Sequence, residues 1–186
     1  MNTHQDHFLK DELFSLTLMA TVQRSGVYRT GTTERERKAF QSALKTRLEL
    51  IAQGYSSKVS EETHIKNILE LSTQLSASHV GILQGNRFRI GAAQKALNLY
   101  LKYLWCIGKI LEPPHCPFDF QIIAKIPAYK GPTWTVLDSE DDYRDLVKAA
   151  KSKAQGSSLA DWELETYNNV QAIAPAGRAA GGASLI

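Results

Sequence analysis

GNRFRIGAAQKALNLYLKYLWCIGKILEPPHCPFDF, residues 85–120, is the stretch whose reading decides the fold. Apolar residues run nearly all the way round a helix expected from about Ala92 to Ile107, which marks a helix buried on every side. Its polar exceptions are ordered. Lys95, Asn98 and Lys102 stand at i, i+3 and i+7 and form one narrow stripe, with Gln94 at its border. No acidic residue lies between Glu70 and Glu112, whereas Arg87, Arg89, Lys95, Lys102 and Lys109 all fall in that gap. Gly85 and Gly91 bracket a turn or tight hairpin on one side. On the other, Gly108 ends the helix and Glu112-Pro113-Pro114 gives a stiff, extended connection.

Toward the N-terminus the 3.6-residue period recurs three times. Residues 8–23 put Phe8, Leu9, Leu13, Leu16 and Met19 on one face. Thr33 and Glu36 form a capping box before Phe40, Leu44, Leu48 and Ile51, and Gly54 stops that helix. Ser60 caps a third helix with Ile65, Ile68, Leu69 and Leu75 inward, ending near Ser78. Toward the C-terminus, the apolar run before Pro127 fits a short helix or a strand. Ser139 and Asp142 open a helix with Tyr143, Leu146, Val147 and Ala150 buried. Ser158 and Asp161 open a last one with Leu159, Trp162, Leu164 and Tyr167. These signals predict an all-α protein: one domain of six or seven helices over 1–169, then an Ala/Gly-rich flexible tail over 170–186.

Composition bounds the rest. A hydrophobic fraction of 43% and a charged fraction of 22% exclude wholesale disorder, and a net charge of +3 is too small to imply nucleic acid alone. The carboxylates crowd the later part of the chain, from Asp138 to Glu165, and leave the middle basic. Cys106 and Cys116 form no CxxC pair, and with His115 they fall short of the four short-spaced ligands of structural zinc, so neither metal nor cofactor is expected. No apolar run reaches roughly eighteen residues and the N-terminus is polar, which predicts a cytoplasmic protein without a membrane span.

Two residues carry chemistry. Lys95 stands in the first turn expected for the central helix. It is either a lysine whose stem packs while its head reaches water, or an amine whose pKa is lowered by burial and by the helix dipole into the range of a nucleophile. Asp119, set between Phe118 and Phe120, is a helix N-cap, a functional acid or base, or both.

A glycine turn, a lysine early in the next helix, and P-x-D opening the helix after it resemble the core of the helix-hairpin-helix DNA glycosylases. The likeness is nearest to the archaeal-type enzymes acting on oxidised guanine. It spans RIGAAQKALNLYLKYLW and EPPHCPFDFQIIAKI, residues 89–105 and 112–126. The usual G-x-G is reduced here to Gly91 and two alanines. What the resemblance implies is base excision from DNA, with possible strand cleavage. Lys95 would attack the deoxyribose C1′, and Asp119 would stabilise the sugar cation and help deprotonate the lysine. Arg87, Arg89, Lys102 and Lys109 would bind the nucleic acid. Asn98, Tyr103, Trp105, His115 and Phe120 would be candidates for a pocket taking the extruded base. The alternatives are a non-enzymatic helical module binding nucleic acid or a protein, and a structural subunit presenting Tyr100–Trp105 as an interface.

Overall fold

The structure, a computed structural model, describes residues 2–22 and 24–173. Among these residues, seven α-helices make a single all-α unit: α1 (Thr3–Thr21), α2 (Glu34–Gln53), α3 (Glu61–Ser78), α4 (Ile90–Cys106), α5 (Phe120–Ile123), α6 (Glu140–Ala154) and α7 (Leu159–Ile173). Among the described residues no strand forms, and the only extended pairing is an isolated bridge between Tyr28 and Leu83. The chain around Ile122 is therefore helical, one turn long. The tail expected over 170–186 lies outside the described residues from 174 onward, and α7 runs on to Ile173.

Side-chain oxygens start the helices where local sequence places them. Thr33 and Glu36 close the capping box of α2, Ser60 caps α3, and Ser139 caps α6. The central helix is different, because Arg89 offers α4 no side-chain cap. Its first amides are satisfied from far along the chain: Ile90 N–H donates to Asp138 Oδ1 at 3.1 Å and Gly91 N–H to the Leu137 carbonyl at 2.9 Å. α4 begins at Ile90, two residues earlier than the pattern predicts, so Lys95 stands in its second turn.

α4 is the hub, flanked by α1, α3, α2 and α6. Every residue from Ile90 to Lys102 is buried. One expectation about its neighbours is corrected. α1 turns Leu13, Phe14, Thr17 and Thr21 inward and leaves Phe8, Leu16 and Met19 exposed. Leu13, Thr17 and Thr21 lie one above the other at i, i+4 and i+8. The hydroxyl of Thr17 donates to the Leu13 carbonyl at 2.8 Å, whereas the buried hydroxyl of Thr21 has no partner among the described residues.

A polar network threads this apolar centre. The Tyr55 hydroxyl donates to His64 Nδ1 at 2.7 Å, and His64 Nε2–H donates to Asn98 Oδ1 at 2.8 Å. Asn98 Nδ2 donates to the Cys116 carbonyl at 2.8 Å and to Gln94 Oε1 at 3.2 Å. Gln94 in turn donates to the Phe118 carbonyl at 2.8 Å and accepts from the Phe118 amide at 3.2 Å. Two amide side chains one helical turn apart thus grip the backbone of residues 116–118, which has no strand to pair with.

The network makes acid lability an expected property. Burial pushes His115 down to about 3 and His64 well below its ordinary value, so the fold holds both rings neutral. An unfolded histidine takes its proton near pH 6.5. Each contribution is therefore fully present above pH 6.5 and is lost as the pH falls from there toward the ring's own folded value, about 3 for His115. The loss is about 1.4 kcal/mol per pH unit for each ring. Urea midpoints measured between pH 7.5 and 4.5 should fall steeply, and the fall should flatten in the variant His115→Phe.

Candidate functional site

The clamp on residues 116–118 delivers Asp119 to Lys95. The 24 positions between them are spanned by the end of α4 and the proline-rich connection, and Lys95 Nζ ends 3.7 Å from Asp119 Oδ2. Asp119 has both of the roles its setting allows. Its Oδ1 accepts from the amides of Gln121 at 2.9 Å and Ile122 at 3.1 Å, capping α5, which leaves Oδ2 to face the amine. Lys95 does not snorkel: it is 4% exposed. Its Nζ lies over the ring of Trp134, 4.2 Å from the centroid.

Burial lowers the Lys95 pKa. Asp119 acts against that shift, and the positive charge of Arg24 adds to it. The dipole contribution expected from a first-turn position falls away, because Lys95 sits deeper and Asp138 already neutralises the N-terminus of α4. A lysine with a lowered folded pKa binds its proton more weakly than the unfolded chain does. The penalty is complete below the folded value and vanishes as the pH rises past the ordinary lysine value of about 10.4. Lys95→Met should therefore raise the melting temperature at pH 7 by a few degrees, at roughly 2–4 °C per kcal/mol, and raise it less at pH 10. Differential scanning calorimetry at the two pH values checks the sign.

Lys102, one i+7 step along the stripe, repeats the pattern in a tighter form. Its Nζ is 2.6 Å from Glu163 Oε2 and 4.7 Å from the centroid of the Tyr167 ring. This pair fastens α7 onto α4, and burial raises the Glu163 carboxyl pKa. α7 and α5 leave a cavity of about 20 Å³ lined by Asp119, Gln121, Ile122, Lys125, Glu163, Thr166 and Tyr167.

The other expected site residues are distributed differently. Asn98 is wholly buried and all its polar atoms are engaged within the core. His115 is wholly buried too, with Nδ1 on the Tyr143 hydroxyl at 2.8 Å and Nε2 without a hydrogen-bond partner among the described residues. Tyr103 and Trp105 are half-buried on the last turns of α4. Phe120 alone of the five is exposed beside Asp119, its ring centroid 5.8 Å from that of Trp134 in an edge-to-face arrangement. Of the four cations, Arg87 pairs with Asp138 at 2.7 Å and Lys109 with Asp6 at 2.7 Å. Arg89 donates to the Thr135 carbonyl at 3.2 Å, and Lys102 is buried on Glu163. Each has an internal partner before any phosphate arrives.

Sequence reasoning passed over Trp134, Asp138 and Glu163. The one sequence signal for Asp138 and Glu163 is charge balance, since the late carboxylates match the cations of the middle. Gly91 also reads differently in three dimensions. A Cβ there would sit 1.8 Å from the Trp134 carbonyl oxygen, so this glycine admits a neighbouring backbone rather than a phosphate. Among the described residues no cluster of three or more metal-ligating side chains occurs, and no helix is long and apolar enough to cross a membrane. No protein family, curated protein or solved structure matches the chain.

Proposed function

We propose that this protein is a DNA base-excision glycosylase, with an associated lyase step, that acts on an oxidised or otherwise damaged base through Lys95. The observation that carries the reading is a buried amine with a lowered pKa, 3.7 Å from the free oxygen of a helix-capping carboxylate. The resting ammonium gives up one proton to water, and the neutral Nζ so formed attacks C1′ of the deoxyribose. The bond from C1′ to the base breaks, its electron pair leaves with the base, and the base takes up a proton. Asp119 faces the positive charge that develops on the sugar and receives the proton shed by the attacking nitrogen. Opening of the sugar ring gives a protonated Schiff base. Loss of the 2′ proton then expels the 3′ phosphate and cleaves the strand. A nucleobase exceeds the 20 Å³ cavity beside Asp119, so productive binding requires α5 or α7 to move.

The test is base release and strand cleavage on duplex oligonucleotides carrying a single oxidised guanine. Lys95→Ala should abolish both, and Asp119→Asn should slow them by roughly 10²–10⁴-fold. Wild-type rates in either variant would refute the assignment. A non-enzymatic interaction module is the second reading. It is favoured by the exposed side chain of Phe120, which follows Asp119, and by the internal pairing of the four cations. It predicts binding without turnover that is indifferent to Asp119→Asn.

A further inference from the structure

Trp134 is the least explained side chain in the molecule. It is completely buried, yet among the described residues its indole N–H has no acceptor. A buried donor left unpaired is destabilising, a cost that phenylalanine or leucine would not carry. No hydrogen bond sets its orientation; packing does. Its carbonyl oxygen occupies the space left by Gly91, and Phe120 packs edge-to-face against its ring with the centroids 5.8 Å apart. The next residues continue the same frame, with the Leu137 carbonyl and the Asp138 carboxylate holding the first amides of α4. The result is an indole ring presented to Lys95 Nζ at 4.2 Å from its centroid.

We infer that Trp134 is a positioning residue of this site, whose indole face holds the Lys95 nitrogen in its cationic forms, before reaction and after. Indole has the strongest quadrupole of the aromatic side chains, and its attraction for a cation grows where water is excluded. The resting ammonium is held between this ring and Asp119. Once the nitrogen has bonded to carbon it is positive again, as an iminium, and the same face receives it. The iminium half rests on the glycosylase reading; the ammonium half does not.

That division sets the experiment. In the DNA-free protein, acetylation of Lys95 by acetic anhydride, quantified by peptide mass spectrometry against an exposed lysine, follows the neutral amine as pH is varied. The charges facing Lys95 are Asp119 and Arg24, and neither is altered by substitution at Trp134. Trp134→Leu should move the half-labelling pH of Lys95 downward by about one unit. Trp134→Phe, which keeps a weaker aromatic face, should move it by less. Equal profiles in a folded Trp134→Leu protein would overturn the inference. If that variant fails to fold, an unshifted Trp134→Phe profile overturns it and a downward shift sustains it. A labelling shift without any reaction on damaged DNA would refute the glycosylase reading and leave the ammonium-holding role standing. Turnover by Lys95 with no labelling shift would do the reverse.

Discussion

Asn98→Ala is expected to lower stability by about 3 kcal/mol or more, a drop on the order of 1.5 M in the urea midpoint. Asn98 is the only partner of His64 Nε2–H, it donates to the Cys116 carbonyl, and it supports Gln94 Oε1. Truncation leaves the first two without partners in a site with no exposure, and each orphaned group costs about 1–3 kcal/mol. The loss of volume adds to that. Asn98→Asp should be no better, because a carboxylate has no donor for Cys116. The same variants should loosen residues 116–118 and with them Asp119, so Lys95 reactivity should change although residue 98 touches neither group. Urea titration alongside Lys95 labelling reads both effects, and a loss below about 1 kcal/mol would show that the network is incidental.

Gly91→Ala inverts an ordinary expectation. Alanine inside a helix is worth about 1 kcal/mol over glycine. Here the added Cβ would fall 1.8 Å from the Trp134 oxygen, 2.8 Å from its carbonyl carbon and 3.2 Å from Leu137 Cβ. Backbone must move, and the segment that moves both caps α4 and carries the ring under Lys95. Overpacking of this kind costs about 1–3 kcal/mol and occasionally more, so the melting temperature should fall by several degrees, with a change in tryptophan fluorescence. Gly54→Ala is the contrast: that glycine has helical backbone angles and open space around it, so the substitution should be neutral or slightly stabilising.

These cases mark what the sequence could reveal and what it could not. Caps at Thr33, Ser60, Ser139 and Ser158 were legible because the partners lie three residues away. The burial of α4 was legible because its polar residues are confined to one narrow stripe and the rest of its surface is apolar. The proximity of Lys95 and Asp119 could be expected only from a family likeness; the contacts that bring it about, Gln94 to Phe118 and Asn98 to Cys116, leave no periodic trace. Cap signals were silent at the start of α4, since its cap is Asp138, 48 positions beyond Ile90. Arg87, Lys102 and Lys109 looked uncompensated for the same reason: their carboxylates, Asp138, Glu163 and Asp6, are remote in sequence. The inward face of α1 was misassigned because apolar residues lie on two of its sides, and a period cannot say which side meets α4.

The central claim is that the Lys95 amine forms a bond to deoxyribose. Borohydride reduction during incubation with DNA containing one oxidised guanine would freeze the Schiff base as a stable secondary amine, and peptide mass spectrometry of the nuclease-trimmed adduct would locate it. The account predicts one modified peptide, carrying its sugar remnant on Lys95, and no adduct from Lys95→Ala. An adduct on another lysine or on the N-terminal amine, or undiminished trapping by Lys95→Ala, would contradict it.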